Sequence, residues 1–230
     1  MAEVAHAATG RPVAALEGIR VLAGITLADD GIAVHADATP AGDAVDVALA
    51  AADQPGRVRY RSRALLRAAA PPAAPAPLDG APAFPMPVAD AYRDLLFHGP
   101  LFQRVVSVEA MDERGLSAVV RSSAPGARWW LDPVTVDCAL QLQVVWARLH
   151  WDVTLLPAEI GGARVFAPLV GDAVRLELRV RPEAKPPLCH CDHVFLGPDN
   201  RVLATLTDVV GTGSKALNRL AGVAAARAGG

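Results

Sequence analysis

Apolar and polar positions alternate along this chain in many short runs and give way to one long apolar run. The stretches "GIRVLAGITL", "GIAVHADAT", "VDVALAAAD" and "RVRYRSRALL", between residues 18 and 66, read as four strands in meander order. In the last, Val58, Tyr60, Ser62 and Ala64 fall on one face and Arg57, Arg59, Arg61 and Arg63 on the other. The turn "ADDG" separates the first two, with Gly31 free to take positive φ. Ahead of them "MAEVAHAAT" suits a helix but is short for an independent one, so it reads as the end of a longer helix. Gly10, Arg11 and Pro12 stop it.

Residues 68–87, "AAAPPAAPAPLDGAPAFPMP", have the composition of a semi-rigid, extended spacer. They divide the chain into a piece over 1–67 and a piece over 88–222, with a frayed tail at 223–230. The second piece opens with the amphipathic "VADAYRDLL", followed by the strand "LFQRVVSVEAMD" and its partner "GLSAVVRSS", with Gly115 at the turn. Then comes the long apolar run. Asp132 followed by Pro133 signs a helix start, an acceptor at the cap and a proline where a missing N–H costs nothing. From Pro133 to about Trp151 apolar residues lie on nearly every side, so other structure must wrap the helix. "GARVFAPL", "DAVRLELRVRP", "LCHCDHVFLG" and "RVLATLTDVVGT" follow as strands, with "GPDN" a turn between the last two, and "SKALNRLAGVAAAR" closes as a small helix. The fold class is α+β. An antiparallel sheet round one buried helix is the hotdog arrangement, and the first piece repeats the element order with its beginning missing.

Composition narrows the classes of function. The 230 residues are 52% hydrophobic and 20% charged with a net charge of −2, so no global field favours nucleic acid or an anionic membrane. No apolar run nears the roughly 20 residues of a membrane span. The start has no secretory pattern, and three cysteines without a framework point to a reducing, cytoplasmic setting.

The candidate chemistry lies in the long helix. Asp137 sits about one turn from its start, and Gln141 follows four residues later on the same face. Such groups in an apolar helix are costly unless paired or used. One reading is a polar pair that satisfies loop backbone; the other is an acid in an apolar tunnel with an amide orienting it. Burial raises an aspartate pKa and a helix N-terminus lowers it. The second candidate is "LLFHGPLFQRV", where His98, Gly99 and Pro100 interrupt an apolar run that neither a strand nor a helix interior would tolerate.

His98-Gly99-Pro100-Leu101-Phe102-Gln103, and Leu131-Asp132-Pro133 through Asp137 and Gln141, resemble the dehydratase domains of polyketide synthases and related polyunsaturated fatty acid synthases. They are similar to that family's Tyr/His-Gly-Pro-x-Phe-Gln step and its Asp-x-x-x-Gln/His helix, in order and spacing. The Phe-His-Gly-Pro spelling and the tail "SKALNRLAG" are similar to iterative synthases of polyene and enediyne type. The resemblance covers residues 13–222. It implies a double hotdog with one site between its halves, acting on β-hydroxyacyl thioesters carried by the phosphopantetheine of an acyl carrier protein, with no cofactor of its own. A family histidine takes the α-proton, and the aspartate, here Asp137 with Gln141 positioning it, protonates the departing hydroxyl. His98, Gly99, Pro100 and Phe102 would shape the substrate wall, His98 as a hydrogen-bonding wall residue. Partners would be the carrier protein, other synthase domains and a second copy in a homodimer.

The family's base lies in a His-x-x-x-Gly-x-x-x-x-Pro motif with no counterpart here. His6 and Gly10 fit the first interval, but the fifth residue after Gly10 is Ala15. The expectation is therefore a chain that begins after the base and is inactive alone. The alternatives are a non-catalytic double hotdog that binds or shapes an acyl chain, and a thioesterase on the same fold.

Other constellations carry less. "CHCDH" puts Cys189, Cys191 and His193 on one strand face and His190 and Asp192 on the other, without zinc spacing. The arginine row reads as a solvated face that could steer an acidic carrier. Trp129, Trp130, Trp146 and Trp151 read as core and rim packing. Ser122 and Ser123 lack a nucleophile elbow.

Overall fold

The computed structural model describes residues 1–25, 31–122, 129–169 and 173–222. The turn expected at "ADDG" falls largely outside them, as do Ser123 and the tail 223–230.

The first piece holds α1 (Ala2–Thr9), β1 (Ala15–Val21), β2 (Val34–Ala41), β3 (Ala44–Ala51) and β4 (Val58–Leu65). α1 ends at Gly10, whose φ of 67° closes the helix in the left-handed region. Its buried residues, Ala2 and Ala5, lie on the side that packs against β2 and β3. On β4 the predicted alternation holds in its second half, where Ser62 and Ala64 are buried while Arg61 and Arg63 face solvent.

The second piece holds α2 (Val88–Asp94), β5 (Val105–Asp112), β6 (Gly115–Val120), α3 (Pro133–Trp151), β7 (Thr154–Val165), β8 (Val174–Val180), β9 (Leu188–Leu196) and β10 (Val202–Ser214). All ten strands join one antiparallel sheet in the order β2-β3-β4-β1-β7-β10-β9-β8-β6-β5. The seam between the pieces is β1 on β7, from Ala15 opposite Arg164 to Arg20 opposite Glu159.

α3 runs over the predicted residues. Asp132 caps it, its side chain accepting from the N–H groups of Val134 (2.8 Å) and Thr135 (3.2 Å). The helix packs on β6, β7, β8 and β9, and ten of its residues are buried, from Thr135 to Ala147. Cys138, Ala139, Leu142 and Val145 meet Leu116, Leu176, Leu178 and Phe195 in the core. Trp146 donates from its indole N–H to the carbonyl of Asp112 (2.8 Å) and stands edge-on to Trp151, while Trp130 donates to the carbonyl of Val13 (2.8 Å). Trp129 stays 58% exposed. The tryptophans thus serve as core and rim.

Three local expectations differ. β7 starts at Thr154, eight residues before the expected "GARVFAPL". Pro157 and Gly161 disguise it in sequence. Pro157 is tolerated because β1 pairs with β7 only from Glu159 onward, and a register shift in β10 lies opposite. Gly115 opens β6 rather than making the turn: a Cβ there would lie 2.0 Å from the Leu178 carbonyl oxygen on β8. At the C-terminal end the described residues form only a short 3₁₀ helix, Lys215–Leu220.

The proline-rich segment 68–87 contains no helix or strand, yet it is held down. Arg179 donates to the carbonyl of Ala76 (2.7 Å), Arg114 to that of Asp79 (3.0 Å), and the N–H of Met111 to that of Pro82 (3.0 Å). Leu78 is buried. It is a strap across the second piece. Among the described residues no helix is long and apolar enough to cross a membrane.

Candidate active site

The α3 cap fixes where the helix begins, and the 3.6-residue period then puts Asp137 and Gln141 one above the other. Gln141 is fully buried and every part of its amide is used. Its Oε1 accepts from the Tyr92 hydroxyl (2.8 Å). Its Nε2 donates to the carbonyl of Phe102 (2.9 Å) and to Asp137 Oδ2 (2.5 Å). The Tyr92 oxygen in turn accepts from the N–H of Val105 (3.1 Å). A chain of hydrogen bonds thus runs from the start of β5 through a tyrosine of α2 and an amide of α3 to the carboxylate. With donors and acceptors assigned in one sense throughout, the amide cannot turn over without breaking three contacts. Burial holds the Tyr92 phenol far above its ordinary pKa, so it stays a donor.

The His-Gly-Pro step is a bend. Gly99 is extended, and Pro100–Phe102 form a single 3₁₀ turn closed by Phe102 N–H to Gly99 carbonyl (3.0 Å). Gln103 Nε2 donates to the carbonyl of His98 (2.9 Å), which ties the bend to itself. The bend brings the His98 ring over the helix. Nε2 lies 3.7 Å from Asp137 Oδ2, and the ring stacks on Phe97 with centroids 4.4 Å apart. His98 Nδ1 is buried and has no hydrogen-bond partner. Burial holds the His98 pKa below its ordinary value, against the opposing pull of Asp137.

Both side chains line a cavity of about 220 Å³. Phe97, Leu140, Val144, Leu155, Leu156 and Pro157 make most of its wall, and Gln143 and Gly211 its far end. Gln143 Nε2 donates to the carbonyls of Cys189 (3.1 Å) and Val209 (3.2 Å), so the amide is spent on strand backbone. A Cβ on Gly211 would come within 3.1 Å of Leu155 and 3.3 Å of Gln143. An apolar pocket with a few convergent polar groups is the usual form of a small-ligand site.

Of the residues singled out from sequence, Asp137 and His98 meet in the cavity, and Gln141 stands directly behind Asp137. Gly99 and Pro100 make the bend that presents His98, and neither lines the cavity. Phe102 contributes its carbonyl, while the residue as a whole is 42% exposed. Tyr92 was invisible in sequence as a site residue. Its signal is faint: one hydroxyl on the inner face of an amphipathic turn, 49 residues from the amide it holds.

The remaining constellations resolve as structure. Cys189, Cys191 and His193 are buried beneath α3, with the two sulfurs 3.5 Å apart. Glu183, His190 and Asp208 bring possible ligand atoms within 4.8 Å of one another. The Arg181 guanidinium lies 3.7 Å from Glu183 and 3.8 Å from Asp208, so a cation already occupies the role a metal would take. The arginine row faces solvent beside acids, Arg63 lying 3.7 Å from Asp46, and a shallow groove there carries Glu17, Asp37 and Asp46 with Arg20, Arg61 and Arg63. Both signs are present, which gives no single-sign patch.

Residues 69–218 match the family described as polyketide synthase dehydratase N-terminal domain. No curated protein matches the chain. Among solved structures it is similar to the dehydratase domain of the CurF module of curacin polyketide synthase, with TM-score 0.76 and 11% identity over 93% of this chain and 81% of that one. It is also similar to the dehydratase domain of PpsC from Mycobacterium tuberculosis in complex with C12:1-CoA (TM-score 0.71, 18% identity, 88% and 76% covered). A third is the dehydratase domain of RzxB from Pseudomonas fluorescens (0.69, 18%, 86% and 75%). At these identities the likeness establishes the hotdog-type fold.

Proposed function

This chain belongs to the polyketide synthase dehydratase family, and from that premise we propose that it removes water from a β-hydroxyacyl thioester on the phosphopantetheine arm of an acyl carrier protein, leaving an enoyl thioester. Asp137 gives its proton to the departing β-hydroxyl. Gln141 holds the carboxyl at the angle that points its other oxygen into the cavity. The apolar wall takes the acyl chain, and the thioester lies toward the opening. The catalyst brings no cofactor; two proton-handling groups and a dry wall suffice for the elimination. The architecture is a double hotdog, one half over 1–67 joined by the strap 68–87 to the other over 88–222. The protein works in the cytoplasm beside the other domains of its synthase, and as a homodimer.

The observation that carries this reading is the tethered carboxylate: Asp137, one turn into a wrapped helix, gripped by a buried amide and facing an apolar cavity. The PpsC structure with C12:1-CoA supports an acyl thioester as the class of ligand.

The test is incubation with a 3-hydroxyacyl carrier protein and detection of the mass lost as one water. Asp137→Asn should reduce turnover at least ~100-fold, the scale of a lost general acid, with the circular dichroism spectrum and melting temperature kept. Turnover that survives this change rejects the site. Binding of the acyl carrier without turnover, in the chain alone and in its full coding context, favours a non-catalytic acyl-binding module.

A further inference from the structure

We infer that Gln143 is a specificity residue of the cavity: its side-chain oxygen accepts a hydrogen bond from a hydroxyl carried further along the acyl chain, so that the preferred substrate is a β-hydroxyacyl thioester with a second, distal hydroxyl. The inference rests on the dehydratase reading above and narrows its substrate class.

The orientation of one amide carries it. Gln143 is 3% exposed and stands at the end of the cavity away from Asp137. What the strand backbone takes from it is the nitrogen alone: Nε2 donates to the carbonyls of Cys189 and Val209, at 3.1 and 3.2 Å. Two carbonyl oxygens at that range accept from a nitrogen and would repel an oxygen, which decides the end of the amide that faces the strands. Val209 lies where the register of β10 against β9 shifts, a place where a bulge leaves backbone groups for a side chain to satisfy. The oxygen is left over. Oε1 accepts from nothing among the described residues and is not one of the sealed side-chain atoms, so it opens on the cavity that Gln143 lines.

Its surroundings say what it would take. Beyond Asp137 and His98 the other described wall residues are Phe97, Leu140, Val144, Leu155, Leu156, Pro157 and Gly211, whose side chains offer neither donor nor acceptor. A single acceptor in an apolar wall calls for a single donor. A charged group would lie there with nothing to neutralise it, whereas a hydroxyl is small and brings one O–H. A wholly alkyl chain would cover the oxygen and leave it dry and unpaired, which costs free energy. Gly211 keeps the place open: a Cβ there would come within 3.3 Å of Gln143 Nε2 and 3.1 Å of Leu155. The spacing follows from α3, on which Asp137 and Gln143 lie roughly 9 Å apart along the axis at 1.5 Å per residue. An extended chain advances about 1.2 Å per bond, which puts the donor oxygen about seven bonds beyond the β-carbon.

The experiment offers 3,9-dihydroxydecanoyl, 3-hydroxydecanoyl and 3-hydroxy-9-methoxydecanoyl pantetheine thioesters to the 230-residue chain and to the chain in its full coding context, and follows the loss of water by mass. Affinity is read separately by calorimetry with 9-hydroxydecanoyl and decanoyl pantetheine thioesters, which have no β-hydroxyl to lose. The expected result is an advantage of about 10-fold for the 9-hydroxy compound in kcat/KM and in affinity, lost equally on removal of the oxygen and on its methylation. In Gln143→Leu that advantage should shrink to within about 2-fold, read as a ratio inside each protein so that a general loss of activity cancels. The wild-type comparison decides by itself should the variant fail to fold. Equal handling of the compounds by wild type, with water loss that Asp137→Asn abolishes, overturns the inference and leaves the dehydratase reading intact. An advantage that survives Gln143→Leu overturns the assignment to Gln143. An advantage in affinity with no water lost from any compound upholds the acceptor and overturns the dehydratase reading. Neither binding nor turnover of any compound overturns both.

Discussion

The two pieces of the sheet treat polar groups in opposite ways. Before residue 88 one polar side chain is buried among the described residues, Ser62; after it there are ten, from Ser117 to Thr205. The second piece is about twice the length of the first, so length does not explain the contrast. Exposed ion pairs occur in both pieces, but the most deeply buried acid lies in the second. In the first piece Arg11–Asp43 and Arg63–Asp46 are each about half exposed or more. In the second, Glu177 is 5% exposed, bonded by Ser117 and flanked by Arg175 and Arg179. The cause lies in the helices. α1 has eight residues and rests on two strands; α3 has nineteen and is wrapped on nearly every side. Only a wrapped helix can take polar groups out of water, and only there does a hydrogen bond or a charge reach the strength that chemistry uses. A polar group kept dry costs free energy unless it is satisfied, so the few left unsatisfied are the informative ones.

The contrast can be broken at His193. Its ring is fully buried and neither nitrogen has a partner, and burial lowers its pKa to about 4. The unfolded chain binds this proton near the ordinary value of about 6.5. The full stability is therefore present above that value and is lost as pH falls from 6.5 toward 4, by up to about 3 kcal/mol in total. Urea melts at pH 7.5 and 4.5 should show that loss, and His193→Leu should remove most of its pH dependence while leaving neutral-pH stability equal or higher. Equal slopes in the two proteins would refute the assignment.

Gln141→Leu is the next largest. It strands the Tyr92 hydroxyl and the Phe102 carbonyl, so denaturation should show a loss of about 1–3 kcal/mol. Turnover should fall as well, because the carboxyl of Asp137 loses its orienting contact. A variant as stable and as active as wild type would mean that the amide chain is incidental.

The smallest effect belongs to the first piece. Arg63→Ala removes one side of an exposed pair and should change stability by less than about 0.5 kcal/mol, with a salt dependence too small to resolve. A loss as large as that of Gln141→Leu would show that the first piece also relies on dry polar contacts.

How much of this was legible depended on how local the signal is. The order of strands and the extent of α3 could be read because alternation, the Asp132-Pro133 start and the long apolar run are patterns within a dozen or so residues. β7 hid its first eight residues because Pro157 and Gly161 look like breakers until the neighbouring strands are known; β1 simply does not reach Pro157. Asp137 and Gln141 could be paired by helical spacing alone. Tyr92 and the far wall around Gly211 could not, since the first acts across 49 residues and the second comes from a strand some 70 residues on. The surroundings of His98 were the hardest to see: nothing in "FHGPLF" says that its Nδ1 is buried without a hydrogen-bond partner.

The seam between β1 and β7 has a mechanical consequence. β7 is shared property: residues 159–164 are stitched to the first piece, while Leu155, Leu156 and Pro157, a few residues earlier on the same strand, stand in the cavity wall. A strand transmits tension along its length far better than a loop does. Any body that grips the strands of the first piece therefore holds a lever whose short arm ends at the cavity wall.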